Sequence, residues 1–108
     1  MFVYTVQCEF ASQDATEVSR QWITWLKNGH IEQVLAGGAR AAEVVVWDGN
    51  PIQVEVQYRF PDRKSFEMYE RDFAPALRRE GLERFPPDQF KLSFVRKVGN
   101  VVQEFPTA

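Results

Sequence analysis

Ala41-Ala-Glu-Val44-Val45-Val46-Trp47-Asp48-Gly49-Asn50-Pro51-Ile52-Gln53-Val54-Glu55-Val56-Gln57-Tyr58-Arg59-Phe60 is the stretch that decides the fold. From Ile52 the apolar residues recur at every second position, the period of a strand with one buried face. Ala41 to Asp48 reads as a second strand, apolar on both faces across Val44-Val45-Val46-Trp47. Asp48-Gly49-Asn50-Pro51 between them is turn chemistry, so the two runs form a β-hairpin.

The flanks repeat one pattern on either side. Residues 2–10 alternate, with Phe2, Tyr4, Val6, Cys8 and Phe10 on one face and Val3, Thr5, Gln7 and Glu9 on the other. Ser12-Gln-Asp14 then offers a turn, with Asp14 and Glu17 spaced as a capping box. The next helix carries Val18, Trp22, Trp25, Leu26 and Gly29 on one stripe. Gly29 either lets that helix lie very close to the sheet or breaks it in two. Gly37-Gly38 ends it.

Beyond the hairpin, Pro61-Asp62 opens another helix with Asp62 as N-cap. Its stripe is Phe66, Tyr69, Phe73 and Leu77, and Pro75 is expected to kink it. Gly81 is expected to end it, with Leu82 packing back on Leu77 as in a Schellman motif. A last strand is expected over roughly Gln89 to Val98. The order β-α-β-β-α-β is the split-βαβ, ferredoxin-like plan: an α+β domain in which two helices cover one face of a four-stranded antiparallel sheet. Residues 1–98 form the single expected domain and 99–108 a C-terminal tail.

Composition narrows the function classes. The chain has 108 residues, 44% hydrophobic and 26% charged, which suffices for one ordinary globular core. A formal charge of -2 leaves no electrostatic footprint for nucleic acid or an anionic membrane. The single Cys8 excludes an intrachain disulfide, and no signal peptide or membrane span is read at the N-terminus. A cytoplasmic protein is the expectation.

The sheet face without helices should present Val3, Thr5, Gln7 and Glu9; Glu43, Val45 and Trp47; Gln53, Glu55, Gln57 and Arg59; and Lys91, Ser93, Val95 and Lys97. It is either solvated or packed on a second copy. Val3, Val45, Trp47 and Val95 are the interface candidates for a homodimer through this face, with Trp47 as anchor. RNA-recognition domains share the strand order but stack bases on outward aromatics. Here Thr5, Gln7, Gln53, Glu55 and Gln57 hold those places, which argues against nucleic acid.

Three segments carry a family resemblance: Trp25-Leu26-Lys27-x-x-His30-Ile31-x-x-Val34-Leu35-Ala36-x-Gly38; Val56-Gln57-Tyr58; and Tyr69-x-x-Asp72-x-Ala74-Pro75-x-Leu77-Arg78-x-Glu80-Gly81-Leu82-x-Arg84-Phe85. They resemble a small bacterial family catalogued only as a domain of unknown function. In plan it is similar to the dimeric α/β-barrel superfamily, which includes antibiotic-biosynthesis monooxygenases, muconolactone isomerases and stress-responsive barrel proteins. The resemblance covers nearly the whole chain except its tail. It implies a homodimer whose two sheets face each other as a barrel, and it implies no reaction.

His30 is the one side chain whose ordinary pKa lies near neutrality. It falls roughly 80° from Trp22 on a helical wheel, at the edge of the apolar stripe. It is either a general base or ligand orienter in the helix–sheet gap, or a half-exposed histidine near the Gly29 break. Tyr58, Tyr69 and Asp72 are candidate partners for it. Arg78 can take a carboxylate ligand bidentately or pair with a nearby Glu. Trp25 is a candidate ligand platform or a core residue, as is Trp22.

One His and one Cys make no zinc site, and haem ligation by His30 alone has little support. Cys8 on an inward face reads as an inert thiol. No phosphate-binding loop and no Ser/His/Asp constellation is present, so no cofactor is expected. Three functions remain. One is a homodimeric module binding a small molecule or a protein partner, with a shallow or closed gap. Another is a cofactor-independent, monooxygenase- or isomerase-like enzyme for a small aromatic or polyketide-like substrate, with an apolar cavity and an inward His30. The third is a structural or regulatory dimer without ligand.

Overall fold

The computed structural model describes residues 1–107. Four strands, β1 (Phe2–Phe10), β2 (Ala41–Trp47), β3 (Ile52–Phe60) and β4 (Leu92–Asn100), form one antiparallel sheet in the order β2-β3-β1-β4. This is the ferredoxin-like arrangement, with β1 central and bonded to both β3 and β4. The hairpin is present: β2 pairs with β3 from Ala41 opposite Arg59 to Trp47 opposite Gln53.

Alternation places the faces as the sequence predicts. Phe2, Tyr4, Cys8 and Phe10 of β1 and Val54, Val56, Tyr58 and Phe60 of β3 are buried beneath the helices. The edge strand β2 is less covered: Val44 and Val46 on its helix-side face are exposed, because the helices cover that edge only in part, and Trp47 is exposed on the opposite face.

Each expected helix is in two pieces. The first comprises α1 (Ala15–Trp25), a widened π-type turn over Leu26–His30, and α2 (Ile31–Ala36). Asn28 and Gly29 leave helical geometry inside the turn, and Gly29 has φ +122°. Gly29 therefore breaks the helix. Close approach is not its role, since a Cβ there would meet nothing within 4 Å. The capping box does not form. Asp14 makes no side-chain cap bond, and Glu17 accepts instead from Arg20 and Gln21.

The Schellman motif lies at Gly37-Gly38. The Gly38 N–H donates to Leu35 and the Ala39 N–H to Val34, with Gly38 at φ +130° and Val34 and Ala39 both buried. This is the 5→2 and 6→1 bond pair that satisfies the last carbonyls of a helix.

The second helix comprises α3 (Arg63–Asp72) and α4 (Ala74–Arg84). Asp62 caps α3 as expected, accepting from the Ser65 N–H at 2.8 Å. The kink expected at Pro75 is real: Phe73, at φ -121°, interrupts the helix and Pro75 stands in the first turn of α4. Phe73 itself turns outward and is exposed, so it leaves the predicted stripe.

Gly81 does not end this helix. Continuation to Arg84 has a tertiary reason, since the Trp25 indole lies 3.1 Å from where a Cβ of Gly81 would stand. Gly81 thus lets the two helical layers meet, and Leu82 is exposed rather than folded back on Leu77. The last strand also starts later than expected. Pro87 opens α5 (Pro87–Phe90), Lys91 reverses the chain at φ 56°, and β4 begins at Leu92. β4 runs two residues beyond Val98 because Asn100 still pairs with Phe2.

Two aromatic clusters fill the helix–sheet layer. Phe66 lies 5.1 Å from Phe2, 5.0 Å from Tyr4 and 5.4 Å from Phe60 between ring centroids. Trp22 lies 5.0 Å from Trp25, 5.2 Å from Phe85 and 5.6 Å from Phe94.

Candidate functional site

Between these clusters the layer is not completely filled. An inner cavity of about 50 Å³ opens beside Tyr4, His30, Tyr58, Tyr69, Arg78 and Arg96. Its walls are aromatic and aliphatic, with Trp22, Trp25, Leu26, Val56 and Phe94 among them. At the ~10–15 Å³ that one water needs, that volume holds only a few waters. Ligand pockets usually span ~300–1,000 Å³.

Outside it lies a polar groove of about 770 Å³ between α1, the π-turn and α4, reaching Glu17, Arg20, Glu80, Glu83 and Arg84. Only Trp25 and His30 line both spaces. Their rings are stacked, 4.1 Å apart and inclined by 24°, and together form the partition.

The backbone explains the position of His30. On an unbroken helix it would sit at the edge of the stripe. The widened turn and the positive φ of Gly29 instead bring the imidazole back over Trp25. His30 makes no hydrogen bond to another described residue. Burial lowers its pKa to about 4, so the ring is neutral at physiological pH.

Arg78 is held from two sides. Its Nη2 donates to the Glu70 carboxylate at 2.7 Å and to the Tyr4 hydroxyl at 3.1 Å. Burial acts to lower the guanidinium pKa, but these two bonds outweigh it and the net shift is upward. Arg78 is thus paired with a Glu, one of its two expected roles, and also borders the cavity.

Burial first, then the neighbouring Tyr69 and Tyr4, pushes the Tyr58 phenol well above its ordinary pKa. Burial and Tyr4 raise that of Tyr69. Both stay protonated and can donate. Neither hydroxyl hydrogen-bonds to another described residue. Ser12 Oγ is nonetheless the only fully enclosed side-chain polar atom without a partner among those residues. The two phenol oxygens accordingly face accessible space.

His30, Trp25, Tyr58, Tyr69 and Arg78 thus come together around one cavity. Asp72 does not. It is exposed at the far end of α3 and bonded to Arg71 at 2.9 Å and 3.1 Å. Sequence reasoning missed Tyr4 and Arg96 as site residues. Arg96 had a legible signal, since alternation along β4 turns it toward the helices along with Phe94. Tyr4 had none, because only tertiary packing brings α4 to its hydroxyl.

Cys8 is fully buried, and burial pushes its thiol up to about 12, which leaves it unreactive. Among the described residues no group of three or more His, Cys, Asp and Glu is arranged to hold a metal ion. No helix among them is long and apolar enough to cross a membrane.

On the helix-free face, Trp47 and Val95 are about half exposed. Val3 and Val45 are partly buried. Register separates them. Val45 and Val95 end one cross-sheet row whose middle is Glu55 and Gln7. A polar centre therefore divides apolar flanks, and Glu9 accepts there from Gln53 and Ser93.

A family model described as a domain of unknown function, DUF4286, matches residues 1–96. No curated protein matches the chain. Among solved structures, a dimeric ferredoxin-like protein from an uncultured marine organism is 17% identical, with a TM-score of 0.65 over 95% of this chain and 96% of that one. A second such protein, also from an uncultured marine organism, is 15% identical over 99% and 100% of the two chains, again at 0.65. A cofactor-independent oxygenase from Streptomyces nogalater is 8% identical over 98% of each chain, at 0.65. At such identities these likenesses establish a common fold.

Proposed function

We propose that this chain, which belongs to the DUF4286 family, is a homodimeric small-molecule-binding protein whose ligand occupies the helix–sheet cavity, in contact with Trp25, Tyr58, Tyr69 and Arg78. One observation carries the reading. The Tyr58 and Tyr69 phenols line the cavity beside Arg78 and Arg96, and neither has a hydrogen-bond partner among the described residues. Hydroxyls that open onto a largely apolar cavity and are not taken up by the protein are placed to orient a polar ligand group. The dimer forms through the open sheet face, with Val45, Trp47 and Val95 on its edge strands and Val3 on central β1. The ferredoxin-like neighbours described as dimeric support that assembly. The compartment is the cytoplasm, consistent with the free Cys8.

The three tryptophans supply the test. In a fragment screen followed by NMR, ligands should shift the indole resonances of Trp22 and Trp25 and leave Trp47 unchanged. Perturbation of Trp47 alone, or of none, overturns the cavity site. Sedimentation at low micromolar concentration should give a dimer, reduced to monomer by Trp47→Glu. A wild-type monomer overturns the assembly.

A specific observation favours a second reading, a cofactor-independent enzyme with His30 as general base. The imidazole is neutral and shares the cavity with donors able to stabilise a developing oxyanion. It ranks second because no group within hydrogen-bond reach orients the ring. Retained ligand binding in His30→Ala with no turnover by either protein supports the binding module. Turnover by the wild type, lost in the variant, establishes the enzyme.

A further inference from the structure

We infer that the ligand is a small organic anion with a flat apolar body, and that His30 is the displaceable plug of its site. The inference rests on the cavity reading above and adds the ligand's chemical class and its way in.

The lining of the inner cavity carries two arginines, three tyrosines and one histidine, but neither Asp nor Glu. Arg78 is compensated by Glu70, whereas Arg96 enters no ion pair among the described residues. Its guanidinium lies 5.4 Å from the Phe94 ring centroid, at the cavity wall. Tyr58 and Tyr69 remain protonated at neutral pH. The phenols can donate as well as accept, the exposed Arg96 adds a positive charge at the wall, and no carboxylate lines this space. A carboxylate or enolate head matches that set, since it accepts several hydrogen bonds and is stabilised by the unpaired guanidinium. A cationic head would face the unpaired Arg96 and find no carboxylate in the lining.

Size then limits the body attached to that head. About 50 Å³ accepts a head group but no ring. A ring needs the space that His30 occupies. The imidazole covers one face of Trp25 at stacking distance, and a ligand ring can take that place without loss of aromatic contact. His30 is held in place by its stacking on Trp25 alone. It has no hydrogen-bond partner, and it is preceded by Gly29, around whose Cβ position the space is empty. Its displacement joins the inner cavity to the outer groove, through which the ligand enters.

The experiment is calorimetric titration of the intact protein with 2-naphthoate and its neutral isostere 2-naphthamide. The wild type should bind the carboxylate about tenfold or more tightly than the amide. Tyr58→Phe with Tyr69→Phe should erase most of that preference, since a hydrogen bond to a charged group corresponds to about ten- to a hundred-fold in affinity. His30→Ala should bind both probes more tightly, because it removes the plug. Equal binding of the two probes overturns the anionic class and leaves the cavity reading standing. Binding that weakens in His30→Ala overturns the plug. Failure of both probes to bind both the wild type and His30→Ala overturns this inference and the cavity reading together. An unchanged melting temperature in the double tyrosine variant separates a lost donor from a lost fold.

Discussion

The two helical layers are interrupted in different ways. At Asn28-Gly29 the break stems from a glycine at φ +122°, in open space, and the next side chain is an imidazole that bonds to nothing. At Phe73 the break stems from Pro75 in the first turn of α4. Backbone bonds run across it, from the Phe73 N–H to Tyr69 and from the Leu77 N–H to Phe73. A Cβ on Gly37 would stand 3.0 Å from both the Phe73 and Tyr69 side chains, so the end of α2 fits closely against that corner. Proline makes a corner by removing freedom. Glycine makes one by supplying it. The first break borders a cavity and leaves a side chain able to move, whereas the second locks one layer against the other.

The largest expected effect separates anchor from plug within the first layer. Trp22 is buried against Phe10, Phe85 and Phe94. Trp22→Ala should cost about 3–5 kcal/mol in denaturant unfolding, the range for truncating a buried large aromatic. Trp25 is only partly buried, with one face on His30 and an edge on Gly81, so Trp25→Ala should cost distinctly less. Equal losses would mean that the Trp25–His30 partition is as structural as the core behind it, and the contrast between the two breaks would fail.

The strands were legible because their signal is local and repeated. Alternation in residues 2–10 and 52–60 sorted both faces, and the observed register keeps every residue of those two strands on its expected side. The errors arose where a tertiary contact overrides local chemistry. Gly81 has the look of a terminator, yet it stays helical because Trp25, 56 positions earlier in the chain, needs the space. Asp14 and Glu17 have capping-box spacing, but Arg20 and Gln21 take the Glu17 carboxylate. The Schellman geometry expected beside Leu82 formed at Gly37-Gly38, where two successive glycines, one at positive φ, permit it. For the site, His30, Tyr58, Tyr69 and Arg78 were nameable as residue types. Tyr58 and Tyr69 could be placed beside the helix–sheet gap, but the stacking of His30 on Trp25 follows from the π-turn, which no periodicity announces.

A pH titration sharpens the contrast next. The His30 pKa falls from 6.5 to about 4 on folding because burial penalises the imidazolium. Between those values the unfolded chain binds a proton that the folded chain does not, so unfolding is favoured as pH falls. Stability should decline from about pH 6.5 to about pH 4, by at most about 3 kcal/mol, and then stop declining on this account. His30→Phe keeps a ring on Trp25 and should flatten that slope. The second break titrates elsewhere. Asp72, held below its ordinary value by its hydrogen bonds to Arg71, loses its contribution as pH falls through and below the ordinary carboxylate range, under most of the His30 window. An unchanged slope in His30→Phe would assign the loss to other groups.

The smallest effect tests the breaks directly. Alanine at position 29 meets no steric neighbour, so Gly29→Ala isolates the backbone cost of φ +122° with ψ -26°. Strain at such a position is about 1–3 kcal/mol. Pro75→Ala should change stability by less, since it restores a donor in the first turn of α4, where a backbone N–H has no intrahelical partner in any case. The two variants should also differ at the site. If Gly29 exists to release His30, its replacement moves the imidazole off Trp25 and alters the Trp25 indole resonance, while Pro75→Ala leaves it in place. A Gly29→Ala protein with full stability and an unmoved Trp25 signal would mean that the glycine neither bears strain nor positions the ring. The distinction between a break that frees a side chain and one that fixes a corner would then have no physical basis.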